Sequence, residues 1–293
     1  MNASPSTSLL TIVRGRETHL RNQAIGVAAA SIKPDQWVIV GMGEPPPDVR
    51  EMGIDGLPEV ITDWVPEDGD HLPLAAARNH AATIATGDRL VFLDVDCIPA
   101  PGLIGGLAAA LDDDVLWMGN PRYLPSGSNR KGWTFEQLDR VAATHPLMPE
   151  LEPGEILADR PHEMFWSLVF AINKSTFERV GGFDESFRGY GGEDTDFAFN
   201  VRKAQIEFRM IGHGAYHQHH AVCKPPLNHF ADIVVNAEAF RQKWAQWPME
   251  SWLEQFAQRD LIRWPPEGET IEILRHPTPD EVSAATTNTP AGF

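Results

Sequence analysis

The chain is expected to fold as an α/β protein, with a mixed, mostly parallel sheet flanked by helices and a helical extension at its C-terminal side. Three observations predict this. Short apolar runs, SLLTIV at 8–13, WVIVGM at 37–42 and LVFL at 90–93, have the length and continuity of strands buried on both faces. The segments between them carry apolar residues at helical spacing, and Gly and Pro clusters punctuate the joins. At 293 residues and 42% hydrophobic, the chain can bury one large core with an appendage.

In chain order, SLLTIV is the first strand, Arg14-Gly15-Arg16 a turn, and 17–31 a helix with Leu20, Ala24, Val27 and Ala28 on one face. WVIVGM is the second strand. A turn-rich stretch leads to a third, EVITDWV at 59–65, and LAAARNHAATIATGD reads as a helix ending near Gly87. LVFLDVD follows as a strand, 102–111 as a helix and DVLWMGNP as a strand. Residues 120–163 show no clean period, as expected of a long, partly helical loop over a site. MFWSLVFAI at 164–172 is again a strand, and the second half of GYGGEDTDFAFNVRKA is a helix with Phe197, Val201 and Ala204 on one face. FRMIGHGAYHQHH is a strand entering a loop. Residues 228–262 read as two helices punctuated by Trp247-Pro248, with a stripe of Phe240, Trp244, Trp252, Leu253 and Phe256. The composition of 266–293 predicts a mobile tail with one short strand at most. The expected organisation is therefore a main domain over 1–225, a helical extension over 226–265 packed on it, and a flexible tail over 266–293.

Lys and Arg number 24 against 41 Asp and Glu, a net charge of −17, which argues against a nonspecific grip on nucleic acid or anionic lipid. Any phosphate must be held by a few placed groups. Two cysteines, Cys97 and Cys223, form no disulfide framework and suit a reducing compartment. No apolar run approaches the ~18–20 residues of a membrane span, and the first residues lack a signal-peptide pattern. A soluble cytoplasmic protein without a transmembrane anchor is expected.

Four stretches carry candidate chemistry. In LVFLDVD, Asp94 and Asp96 follow a buried strand; in an extended segment both would point one way, with Val95 facing the core. Convergent carboxylates need a cation, and hard oxygen ligands in an open site suit Mg²⁺ or Mn²⁺ with phosphate completing the shell. An Asp pair can equally cap the next turn. In GYGGEDTDF, Gly191 and Gly192 allow close backbone approach, while Glu193 and Asp194 open a helix, where acids are favoured by the dipole whatever their function. A carboxylate held over a cleft can also act as a general base. In YHQHH, His217, His219 and His220 cluster where a strand ends, with His213 upstream as a rival for metal or phosphate. Arg14 and Arg16, between the first strand and its helix, can fork onto phosphate, and Arg78-Asn79 precede Asp94 by sixteen residues.

Taken together, these stretches resemble the GT-A glycosyltransferases. TIVRGRETHL, LVFLDVDCIP and FAINKSTFERVGGFDESFRGYGGEDTDF are similar to the nucleotide, metal and acceptor segments of β-1,4-galactosyltransferases, and AARNHAATIATGDRLVFLDVD with AYHQHH resembles bacterial family 2 enzymes of the chondroitin polymerase type. The likeness runs from about 8 to 220. It implies a Rossmann-like GT-A domain and assigns roles by position. Arg14, Arg16, Arg78, Asn79, Asp94, Val95, Tyr190, Gly191 and Gly192 would bind a nucleotide sugar. Asp96 and His217, with Asp94, would hold Mn²⁺ or Mg²⁺, with His219 or His213 as substitutes. Glu193 would bind sugar hydroxyls and Asp194 would deprotonate the acceptor, giving inversion in one displacement. Phe165 and Trp166, and Trp133 further upstream, would stack on a carbohydrate or small-molecule acceptor, although the first two suit core packing equally. Tyr190 stands where galactosyltransferases have tryptophan, and Ser167-Leu168 where they have paired glycines. The resemblance favours a UDP-sugar donor. Two rival readings are a nucleotidyltransferase that makes nucleotide sugars, which would want a glycine-rich loop after SLLTIV, and a noncatalytic nucleotide- or sugar-binding module, which has no need of both acidic clusters.

Overall fold

The computed structural model describes residues 5–111 and 114–287. Strands β1 (Thr7–Val13), β2 (Gln36–Met42), β3 (Glu59–Val65) and β4 (Arg89–Leu93) run parallel in the order β3-β2-β1-β4. Every residue of β1 and β2 is buried, which is why both read as largely apolar runs; β3 is the edge, and its Glu59, Thr62 and Trp64 are exposed. Beyond β4 the sheet continues through β7 (Val169–Asn173), β6 (Val115–Tyr123), β8 (Glu207–His217) and β5 (Cys97–Pro99). β7 lies antiparallel to β4 and β6, β8 runs parallel to β6, and β5 pairs antiparallel with β8. Mixed direction enters at β7, the strand that follows the long loop, and at β5 on the far edge.

Helices cover both faces. Leu9, Val13, Val91 and Leu93 share one buried cluster with Leu20 of α1 (Glu17–Ala28) and Leu103 and Leu107 of α3 (Leu103–Ala110). Leu10, Ile12, Leu90 and Phe92 belong to the opposite cluster, with Ala77 and Ala81 of α2 (Leu74–Ile84), Phe177 of α5 (Lys174–Val180) and Phe197 of α6 (Glu193–Lys203). The alternation of neighbours between clusters is the period-2 geometry of a strand buried on both sides.

Three segments before β8 differ from the sequence-based expectation. Residues 94–96 are a turn, closed by the Cys97 N–H donating to the Asp94 carbonyl at 2.8 Å, so β4 stops at Leu93. Within 120–163, β6 extends to Tyr123, and α4 (Phe135–Val141) starts at a capping box between Thr134 and Gln137. In 164–172 only the second half is strand, because a 3₁₀ turn at His162–Met164 precedes it.

After β8 the chain builds its own small core from α7 (Phe230–Trp244), α8 (Glu250–Ala257) and a short strand pair, Ile262–Arg263 with Glu272–Ile273; Phe230, Ile233, Leu253, Phe256 and Ile262 are buried together. Where composition predicts a mobile tail, α9 (Pro279–Ala285) starts at a second capping box, between Thr278 and Glu281, and Thr286–Thr287 pairs with Val222–Cys223. Residues 288–293 lie outside the described residues. Among the described residues no helix is long and apolar enough to cross a membrane.

Candidate active site at the carboxyl edge of the sheet

Because β1, β2, β3 and β4 are parallel and in register, their carboxyl ends open onto one edge, the usual ligand side of such a sheet. At the end of β1, Gly15 and Arg16 both take left-handed backbone (φ +59° and +53°), turning the chain sharply into α1. Arg14 reaches Glu67 beyond β3 at 2.9 Å, the Gly15 N–H donates to Glu44 beyond β2 at 3.3 Å, and Arg16 pairs with Asp96.

The turn after β4 sends its two carboxylates to different partners. Asp94 faces Arg78 (3.4 Å), while Asp96 faces Arg16, His19 (4.0 Å) and His220 (3.5 Å). Asp96, His217 and His220 each offer a ligand atom within 4.8 Å of the others; Asp94 is not in that group. Pairing of β5 with β8 sets His217 opposite Cys97, one residue from Asp96. His217 is buried against Tyr123 (ring centroids 4.8 Å), and burial pushes its pKa down to about 4, so it is a neutral imidazole; its Nδ1 has no hydrogen-bond partner. His220 Nδ1 must donate to the Ala221 carbonyl (3.0 Å), which turns Nε2 toward Asp96. The buried His19 Nε2 also lacks a hydrogen bond. Bare imidazole nitrogens around a carboxylate are the donor set of a divalent metal site. These residues fit a metal.

His213 is elsewhere. It sits at a bulge in β8, with its ring on α3, where a Cβ on Gly106 would lie 2.1 Å from it. His219 falls outside the group of ligating atoms.

On the other side of Asp94, Arg78 of α2 is 4% exposed and donates to Glu193 at 3.1 Å. It therefore joins the two acidic clusters that the sequence places a hundred residues apart. Asn79 turns away and clamps the Phe183 backbone, donating to its carbonyl (2.8 Å) and accepting from its N–H (2.9 Å). Gly191 and Gly192 adopt left-handed backbone (φ +99° and +90°) and deliver Glu193 and Asp194 as the first residues of α6. Burial, reinforced by the charge of Glu193, pushes the Asp194 carboxyl up to about 7, and burial pushes Asp94 to about 6 against the opposing pull of Arg78. Tyr190 is 38% exposed, and its ring stacks with His229 (4.5 Å) and Trp252 (6.0 Å).

Of the expected acceptor aromatics, Phe165 is 1% exposed and packs edge-on to Phe170, so it belongs to the core. Trp166 is half-buried, with His145 at 4.9 Å. Trp133 donates to Asn22 at 3.0 Å. Val95 contributes its side chain to the core, and its carbonyl lies 3.4 Å from the Gln218 amide.

Sequence reasoning missed His19, Gln23 and Gln218. Gln218 is fully buried; it donates to His19 O (3.0 Å), accepts from Asn22 (2.9 Å) and Asn129 (2.7 Å), and its N–H meets Asp96 O at 2.7 Å. Gln23 donates to the carbonyls of Asp94 (2.8 Å) and Cys97 (3.0 Å). These two amides hold the aspartate turn. The available signal was a glutamine on the apolar face of a predicted helix and another inside a histidine run.

Residues 157–221 match the family model described as the N-terminal domain of galactosyltransferase, and residues 69–173 match glycosyl transferase family 2. The chondroitin synthase of Pasteurella multocida (strain Pm70) is 40% identical over 169 residues, 50% of this chain and 18% of that protein. The hyaluronan synthase of Pasteurella multocida is 28% identical over 168 residues, 49% of this chain and 17% of that protein. The validoxylamine A glucosyltransferase of Streptomyces hygroscopicus subsp. jinggangensis (strain 5008) is 27% identical over 146 residues, 44% of this chain and 35% of that protein. The matched part thus spans about a third or less of each of these relatives. Among solved structures, GalNAc-T7 with UDP, GalNAc and Mn²⁺ aligns at TM-score 0.51 and 15% identity, over 73% of this chain and 43% of that one. S. aureus TarS 1–349 aligns at TM-score 0.53 and 12% identity, over 80% of this chain and 65% of that one. These likenesses establish a GT-A fold, and the family matches show that the chain carries a glycosyl transferase family 2 segment and, overlapping it, a galactosyltransferase-like segment.

Proposed function

We propose that the protein is a metal-dependent, inverting glycosyltransferase that moves a hexose from a nucleotide sugar, a UDP-sugar by our reading, to an acceptor hydroxyl. The observation that carries this is the pairing of two acidic clusters across buried Arg78: Asp94 on one side, in the turn whose Asp96 stands among imidazoles, and Glu193, followed by Asp194, on the other. The catalytic unit is residues 1–225, with 226–265 as a helical extension packed on it.

Arg14 and Arg16, at the end of β1, would meet a diphosphate, and Asp96, His217 and His220 would hold Mn²⁺ or Mg²⁺ beside it. When bound, such an ion supplies Lewis-acid stabilisation to the departing diphosphate. Arg16 now neutralises Asp96; with an ion there, its guanidinium is free for phosphate oxygens. Glu193, fixed by Arg78, accepts hydrogen bonds from sugar hydroxyls. Asp194 takes the proton of the acceptor hydroxyl as that oxygen bonds to the anomeric carbon and the bond from that carbon to the phosphate oxygen breaks. A base near pH 7 is well matched to this task. One displacement inverts configuration without a protein nucleophile. The −17 net charge is compatible, because phosphate is met locally rather than by the whole surface.

The test is to incubate the protein with UDP-sugars, Mn²⁺ and saccharide acceptors and to assign the product anomer by NMR. Transfer with inversion is expected. Retention, or release of free nucleotide sugar from sugar phosphate and nucleotide triphosphate, would replace this reading.

A further inference from the structure

Residues 188–192 immediately precede Glu193 and Asp194 and belong to no helix or strand; Gly189, Gly191 and Gly192 all have positive φ. Backbone of this kind has no ladder to satisfy its polar groups, so partners must come from outside. They come from one stripe of α7. Asn236 is 1% exposed; its Nδ2 donates to Arg188 O and Gly191 O, both at 2.8 Å, and its Oδ1 accepts from Arg188 N at 3.2 Å. One turn earlier, Asp232 accepts from Tyr190 N at 3.2 Å and is held by His71 at 2.7 Å. Two turns beyond Asn236, Trp244 and Lys243 hold the fully buried Asp196, at 2.7 Å and 2.9 Å. Positions 232, 236, 243 and 244 recur at helical spacing, so they face one way.

The catalytic acids therefore sit between two anchors on one helix, Asn236 at Gly191 and the Lys243–Trp244 pair at Asp196. A helix recruited only for packing would present apolar side chains there. Asn236 instead spends both amide hydrogens and its oxygen on the loop. Gly189 supports the same contact: its missing Cβ would fall 2.0 Å from Asp232 Oδ2.

We propose that Asn236 is a positioning residue for transfer: by fixing the 188–191 backbone it sets where Asp194 meets the acceptor hydroxyl, which makes the helical extension part of the catalytic machinery. This rests on the reading of Asp194 as base. Misplacing a reacting group by about 1 Å costs on the order of 100-fold in rate.

The test compares wild type with Asn236→Asp, which keeps the shape and the acceptor but loses both donors. Three quantities are read: transfer kcat, UDP affinity with Mn²⁺ by calorimetry, and hydrogen–deuterium exchange of the 187–193 peptide. The expected result is a kcat lowered by about 100-fold, unchanged UDP affinity, and faster exchange confined to that peptide. If Asn236→Asp does not fold, Asn236→Ser carries the same comparison. Unchanged exchange would refute the tether, and faster exchange with unaltered kcat would refute its role in positioning. UDP affinity falling in step with kcat would show general damage instead and also overturn the proposal. A wild type that transfers from no nucleotide sugar would refute the transferase reading itself, while the exchange data would still decide whether the tether exists.

Discussion

Replacing Arg78 by Met should destabilise the protein in a way that depends on pH. The guanidinium is 5% exposed and lies between Glu193, itself 8% exposed, and Asp94, 25% exposed. Methionine fills much of the volume but leaves two carboxylates facing each other without a cation. Removing one partner of a buried ion pair costs roughly 3–5 kcal/mol, about 1 M or more in urea midpoint at an m-value near 3 kcal/mol/M. The sign with pH follows from Asp94. Its folded pKa of about 6 lies above the unfolded value of 3.8, so its ionisation already counts against stability as pH rises through 6, and Arg78 offsets part of that cost. Without Arg78 the pKa climbs further, at about 1.4 kcal/mol per unit. The deficit of Arg78→Met relative to wild type should therefore be largest near pH 8 and shrink toward pH 5, where Asp94 takes up a proton. Urea unfolding at the two pH values measures it. A loss below about 1 kcal/mol, or an equal loss at both pH values, would refute the view of Arg78 as the cation joining the two acidic clusters.

Other predictions follow from the same geometry. Turnover should rise with pH through about 7, because Asp194 must be ionised to act as base; a profile flat from pH 5.5 to 8.5 would contradict that role. Asp194→Asn should retain UDP binding and lose on the order of 10²–10⁴-fold in kcat, and undiminished turnover would remove the assignment. His217→Ala should weaken Mn²⁺-dependent UDP binding while His213→Ala leaves it intact, since only the former is in the ligating group; calorimetry showing the reverse order would move the metal site upstream. Trp244→Phe should cost about 1–3 kcal/mol by stripping a hydrogen bond from the fully buried Asp196, and an unchanged melting midpoint would show that this bond contributes nothing.

The strands that set the sheet edge were legible because burial on both faces leaves no polar alternation: SLLTIV and WVIVGM are apolar runs of strand length bounded by turns. The GYGGED segment was legible because three left-handed positions need glycine. The aspartate pair misled. Period 2 applies only to extended backbone, and the turn closed between Asp94 and Cys97 sends the carboxylates apart, so Asp94 joins Arg78 while Asp96 joins the histidines. His19 and His220 meet Asp96 only through the packing of α1 and the pairing of β5 with β8, distances in sequence that no local pattern encodes. Asn236 was hidden differently. Its polar stripe is covered by the 188–192 loop, and from sequence it is indistinguishable from the wet face of an amphipathic helix. Between 266 and 287, two short strand pairings and a capping box give regular structure to a stretch whose composition reads as disordered.

The most direct test of the central claim is calorimetric titration of UDP into the purified protein, once with Mn²⁺ and once with excess chelator. Binding that requires the metal, and that is lost in Asp96→Ala, is the predicted result. Equal binding under both conditions, or none under either, would contradict a diphosphate-binding metal site built from Asp96, His217 and His220.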